Sequence, residues 1–186
     1  MSKPKVRGET PRVAFVASIL LVLLGALAWA SGLPFLFPSL GPSAFLLSSK
    51  VGERVSEPRR VVGGHVIGVV VGLFTYHLVA PGLTVMQPSP PFSMAALRLS
   101  LSGILAVGLT TAGMVVTDLR HPPACATTLI VALGLLTKLT DGVIVVVSIA
   151  ILVAVQQGLA YLETVPPAPD VFYRGEAGDE TGPKGD

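Results

Sequence analysis

Two proline-broken stretches hold most of the side chains with which this chain could do chemistry. Residues 34–49 read PFLFPSLGPSAFLLSS, and residues 122–139 read PPACATTLIVALGLLTKL. Proline in the first turn of a helix loses no hydrogen bond and already has the required φ. Pro42 and Pro122 therefore mark helix starts, with residues 39–41 and the Arg120-His121 pair as non-helical lead-ins. A helix that begins inside a protein aims unpaired N–H groups and a partial positive charge at whatever lies ahead of it. Two such ends brought together would bind a small anion without a buried lysine. The hydroxyls of Ser39, Ser43, Thr127 and Thr128 would complete the shell. The structural alternative is that the prolines only kink two helices whose freed backbone groups find other partners.

The sequence has three histidines. His121 follows Asp118 and Arg120 and stands directly before Pro122; the two charged residues read as an interfacial pair at a helix end. An imidazole can stay neutral and donate to an anion, or relay a proton. The donor role is favoured for His121, because no acid is placed in the apolar interior to continue a proton chain. His65 lies in GGHVIGVVVG, where Gly64, Gly68 and Gly72 recur every four residues and make a small-residue face for close helix packing. His65 sits beside that face, either as a packed, hydrogen-bonded histidine or as part of the site. His77, near the far end of the same run, reads as interfacial.

These side chains are set in a membrane protein. Of 186 residues, 51% are apolar and 13% charged, with mean hydropathy +0.73, whereas a soluble domain carries about 25% charge. Between positions 13 and 162 the charges outside the 50–60 loop are Arg98, Asp118, Arg120, Lys138 and Asp141. Four apolar runs, 13–32, 61–80, 97–117 and 142–162, are long enough to span. The first resembles a signal peptide, with its basic start and Ala28-Trp29-Ala30, but it is longer than a usual h-region and reads as a retained signal-anchor. The net charge of +2 comes from short flanking segments and gives no basic face for nucleic acid. A single cysteine, Cys125, excludes an intramolecular disulfide, and no Cys/His spacing suits structural zinc.

Charge sets the topology. The N-terminal tail, 1–12, and the 50–60 loop each hold four basic residues beyond Met1, and basic segments stay cytoplasmic. Both lie inside only if the stretch 34–49 crosses. Half extended at about 3.1 Å per residue and half helical at about 1.5 Å, it reaches about 37 Å against a core of about 30 Å. Six crossings put both termini in the cytoplasm; four spans with two re-entrant segments are the alternative. The expected fold is thus an all-α polytopic membrane protein of four long transmembrane helices and two short Pro-broken segments. The order long, short, long occurs twice and suggests a 3+3 inverted repeat, a recurrent transporter plan. The uncharged loop 81–96 joins the halves, and residues 163–186 read as a disordered acidic cytoplasmic tail.

Three blocks, FPSLGPSAFLL, PRRVVGGHVIG and HPPACATTL, resemble the signature segments of the HPP-family integral membrane proteins, named for a His-Pro-Pro motif. The likeness runs from about residue 35 to 162. It implies transport, with nitrite the substrate most often proposed. It carries over Pro38, Ser39, Gly41, Pro42, Ser43, Gly64, His65, His121, Pro122 and Pro123 as motif positions. The family is described as four-span, and some members append CBS domains, for which this chain is too short.

The expected function is a transporter or channel for a small inorganic anion, nitrite-like, bound near the starts of the two broken helices. Its expected substrate-binding residues are Ser39, Gly41, Pro42, Ser43, His65, His121, Pro122, Pro123 and Thr127. No cofactor or metal is expected, and the partners are the lipid bilayer, the anion and a second copy of the chain, for which the small-residue faces leave room. Two alternatives stay open, a structural membrane protein without transport and a metal-ion carrier using His65, His77 and His121; the remaining reading, an enzyme, is not expected. The last rests on Gly41-Pro42-Ser43-Ala44, loosely similar to the Gly-x-Ser of intramembrane serine proteases, with His65 or His121 as base.

Overall fold

The computed structural model describes residues 6–164. Within them the chain forms α1 (Val6–Ser31), α2 (Leu40–Ser49), α3 (Pro58–Val79), α4 (Met94–Val116), α5 (Pro123–Ala132) and α6 (Leu139–Thr164), with a 3-10 turn at Arg54–Ser56. The described residues contain no strand. α1, α3, α4 and α6 are long and apolar enough to cross a membrane. α2 and α5 have ten residues each, about 15 Å of helix and so half the hydrocarbon core.

Helix ends differ from the apolar runs for local reasons. α1 starts at Val6, so the tail expected over 1–12 is helical from that residue; residues 1–5 and most of the acidic tail, 165–186, lie outside the described residues. α3 starts at Pro58 because proline suits the first position, and Arg59 and Arg60 lower hydropathy without opposing helix. α2 starts at Leu40 rather than at Pro42, which sits within the first turn where its missing N–H costs nothing. α5 starts at Pro123 and stops at Ala132. Gly134 then turns the chain at φ +82, and a Cβ there would collide with the Leu83 carbonyl. That contact seats the 81–96 loop, and Val85 N–H donates to Leu133 O at 3.0 Å beside it.

The two ends of the bundle are set by a few contacts. Arg12 on α1, Leu47 and Val51 around the end of α2, and Gln156 and Ala160 on α6 line one crevice. Arg54 and Arg60 pair with Asp118, just beyond α4, at the same end. At the other end Arg98 donates to Val79 O at 2.7 Å, and the exposed His77 lies 3.2 Å from Thr137 O. The start of α1 and the 50–60 loop therefore share one end, as their matched basic charge requires. In a Cys125→Ala background, Ser2→Cys and Val51→Cys should be labelled by an impermeant maleimide from the same side of the membrane. Labelling from opposite sides would remove the six-crossing topology.

A core of Leu20 and Leu24 from α1, Leu40 and Leu47 from α2, Val61 and Val69 from α3, and Val145, Ile149 and Leu152 from α6 ties the long helices together. Phe15, Trp29, Phe74, Leu78 and Ile104 point outward, where lipid tails would meet them. Lipid is as apolar as leucine, so helix pairing in a membrane rests on close packing and hydrogen bonds. The glycine stripe supplies the packing: α5 lies directly on it. A Cβ at Gly68 would stand 2.8 Å from both Ala124 O and Thr128 Oγ1, and one at Gly72 would stand 2.8 Å from Val131 Cβ. α4 closes the opposite side of α5, with Ser102 donating to Ala132 O at 2.9 Å and Thr110 bonded to Thr128 at 3.0 Å. The small-residue face is thus used within the chain.

Candidate functional site

The short helices position the polar side chains because each starts part-way through the bundle. His65 lies seven residues beyond Pro58, the start of α3, and so about 10 Å along that helix. It faces α5 because Gly64 and Gly68 on either side allow α5 to approach. Ser39 caps α2 and Ser43 follows one turn later, both toward α5. His121 ends the lead-in to α5, its Cβ 3.1 Å from where a Gly64 Cβ would be.

Ser39, Ser43, His65, His121 and Thr127 meet in one cluster, and each is fully buried. Ser39 Oγ lies 2.6 Å from Thr127 Oγ1, which lies 2.7 Å from His65 Nδ1. His65 Nε2 is 3.1 Å from Ser43 Oγ, and Ser43 Oγ is 3.2 Å from His121 Nε2. His121 Nδ1 reaches Val55 O, in the 3-10 turn, at 2.9 Å. The two rings are tilted to each other with centroids 5.2 Å apart.

The hydrogen positions follow from chemistry. A carbonyl oxygen only accepts, so His121 Nδ1 carries the hydrogen and donates to Val55 O. In a neutral ring its Nε2 is then an acceptor, which receives the Ser43 hydroxyl. Ser43 has no second hydrogen, so His65 must donate to it from Nε2. His65 Nδ1 accepts from Thr127, and Thr127 accepts from Ser39. The Ser39 carbonyl, 3.1 Å from Ser43 Oγ, is an alternative acceptor for the serine hydrogen.

Expected donors at the helix starts are replaced by side chains. Pro42, Pro122 and Pro123 have no N–H, and the next amides of α5 are taken: Ala124 donates to His121 O and Cys125 to Pro122 O, both at 3.0 Å. The helix starts pass alongside each other instead of meeting tip to tip, since Ser39 faces Thr127 and Ser43 faces His121. Gly41, Pro42 and Pro122 are exposed, and Pro123 is buried at the start of α5. Thr128 turns toward α4. His77 is remote from the other two histidines, and among the described residues no three His, Cys, Asp or Glu side chains gather as a metal site.

Above His121 lies an ionic roof. Asp118 pairs with Arg60, whose Nη1 donates at 3.0 Å, and with Arg54 at 2.8 Å; the pair with Arg120 suggested by their nearness in sequence does not form. Arg60 also donates to Glu57 at 2.8 Å and is almost completely buried. The Arg60 guanidinium holds the Asp118 carboxyl below the usual carboxylate range, against some loss of solvation. Neither this partner nor the Val55 carbonyl was legible beforehand: one contact spans 58 positions, and the other uses a backbone atom.

A family model described as HPP, transmembrane region, matches residues 5–166. No curated protein and no solved structure gives a match.

Proposed function

The chain belongs to the HPP transmembrane family, and we propose that it is a transporter or channel for a small inorganic anion, nitrite-like in size and charge. The observation that carries this reading is the cluster itself: two imidazoles and three hydroxyls, fully buried among membrane-spanning helices. Polar and ionisable groups are costly at membrane depth and mark substrate paths by default. A small anion suits them because each hydroxyl can turn its hydrogen toward it, His65 carries a further hydrogen on Nε2, and no carboxylate bonds to either ring to repel it. Arg54 and Arg59 at the same end give an approaching anion a positive rim. By the positive-inside rule that end, with Arg12 and the 50–60 loop, faces the cytoplasm. The two halves, each long, short, long, would then work as an inverted pair around the cluster.

Proteoliposomes provide the test. Nitrite should enter faster than into protein-free vesicles, and zinc should not. Zinc uptake without nitrite uptake would favour a metal carrier, and neither would leave a structural role.

One geometric fact favours a second reading. Ser43 Oγ lies within hydrogen-bond distance of two histidines, one of them oriented by a carbonyl, as a nucleophile and base would be. Against it, Pro42 offers no N–H for an oxyanion, and the Ser43 amide is turned to Ser39 O. A fluorophosphonate that labels the wild type but not Ser43→Ala would establish a serine hydrolase instead.

A further inference from the structure

The hydrogen bonds of the cluster form a single file from Ser39 to Val55, and the Val55 carbonyl at its end fixes the hydrogen of His121 on Nδ1. We infer that this file conducts a proton together with the anion, so that a monovalent anion crosses without net charge. The inference rests on the anion reading above and adds the coupling ion to it.

The transfer balances bond by bond. A proton delivered to Ser39 Oγ lets the Ser39 hydrogen pass to Thr127 Oγ1 and the Thr127 hydrogen pass to His65 Nδ1. His65 releases its hydrogen from Nε2 to Ser43 Oγ, and Ser43 passes its own to His121 Nε2. The hydrogen on His121 Nδ1 then leaves. One proton enters and one departs, and no bond between heavy atoms changes. Each step crosses a gap between 2.6 and 3.2 Å. A proton held part-way also has a bonded arrangement. With the Ser43 hydroxyl turned to Ser39 O at 3.1 Å, the serine oxygen accepts from both Nε2 atoms and His121 is a cation.

The exit is closed by Val55. Its carbonyl cannot pass a proton on, and a His121 without hydrogen on Nδ1 would face it lone pair to lone pair at 2.9 Å. Release requires the Arg54–Ser56 turn to withdraw. That turn is held by Ser56 Oγ donating to Leu46 O at 3.1 Å and by Arg54 on Asp118. The charged and titratable groups on the segments that flank the rings are Arg54 on the turn, Glu57 before α3, Arg59 and Arg60 on α3, Asp118 and Arg120 before α5, and Cys125 on α5. α2 contributes hydroxyls alone. Among the described residues none of the charged groups bonds to an imidazole, so the file runs through hydroxyls where a sequence reader would look for acids.

Two measurements test this. In protein labelled with nitrogen-15 histidine and held in lipid vesicles, His65 should carry its hydrogen on Nε2 and His121 on Nδ1, with His77→Gln identifying the third signal. Finding both rings in the same tautomer would overturn the file. In proteoliposomes, nitrite uptake above that of protein-free vesicles should follow an imposed pH gradient and ignore a membrane potential. Thr127→Val keeps the shape but removes the link, and should lose most pH-driven uptake; Thr127→Ser should restore it. Where Thr127→Val is not monodisperse, Ser39→Ala takes its place with the same expected loss. Uptake that follows the potential alone would overturn the proton file while leaving an anion carrier, as would a Thr127→Val or Ser39→Ala protein that keeps pH-driven uptake. No uptake under either driving force would remove both.

Discussion

Gly68→Leu is expected to abolish recovery of folded protein in mild detergent. At Gly68 even a Cβ would stand 2.8 Å from the Ala124 carbonyl oxygen, and a helix backbone cannot rotate away as a side-chain tip can. α5 would have to lift off α3 as a unit, breaking the Gly64 and Gly72 contacts and pulling His121 and Thr127 out of the cluster. Overpacking costs about 1–3 kcal/mol where neighbours yield, and a backbone neighbour puts this site at the upper end. Gly108→Leu is the control: no atom of a neighbouring element lies within 4 Å of its would-be Cβ, and its protein should behave as wild type. Size-exclusion profiles of the two variants decide the matter. A monodisperse Gly68→Leu protein at wild-type yield would mean that α5 does not rest on the stripe.

His121→Asp is expected to reduce nitrite uptake to the level of empty vesicles. The new carboxylate would lie beside Ser43 and His65, and Arg60 is already engaged by Asp118 and Glu57. Two like charges about 4 Å apart repel by about 4 kcal/mol near a protein surface, about a thousandfold in anion occupancy. Lowering the pH should relieve the block, since the protonated carboxyl no longer repels. His121→Gln separates two roles, because it keeps a donor and cannot change protonation. It should spare anion binding and lose pH-driven uptake. Undiminished uptake through a well-folded His121→Asp protein at neutral pH would remove the cluster as the anion site.

The spans were legible because lipid demands long apolar runs, and such runs cannot be hidden. Their ends were less so: Arg59 and Arg60 lower hydropathy while extending α3, and Pro42 marks the first turn of α2 without opening it. The glycines at 64, 68 and 72 announced a close neighbour, but their spacing could not say that it would be α5 and not a second chain. Four-residue spacing likewise placed His65 beside that neighbour. Ser39, Ser43, Thr127 and His121 were picked out by helix starts, although the prolines there lack an N–H and the amides of Ala124 and Cys125 are already bonded. What binds them together is tertiary. Asp118 chooses Arg60 across the bundle over Arg120 next door, and His121 is fixed by a main-chain oxygen that no side-chain pattern encodes.

The seating of α5 has a mechanical consequence. Glycine contacts and hydroxyl bonds hold it between α3 and α4, while it touches α2 over only a short stretch. α2 in turn packs along α1. The polar cluster therefore lies on the seam between the α1–α2 pair and the α3–α4–α5 group, beside the apolar core that crosses the same seam. Parting the pair from the group there would break bonds from Ser39 and Ser43 to Thr127, His65 and His121, each of which water or an anion can replace almost without loss. Apolar side chains between the two enjoy no such substitution, so a fissure would open first along its hydrophilic stretch.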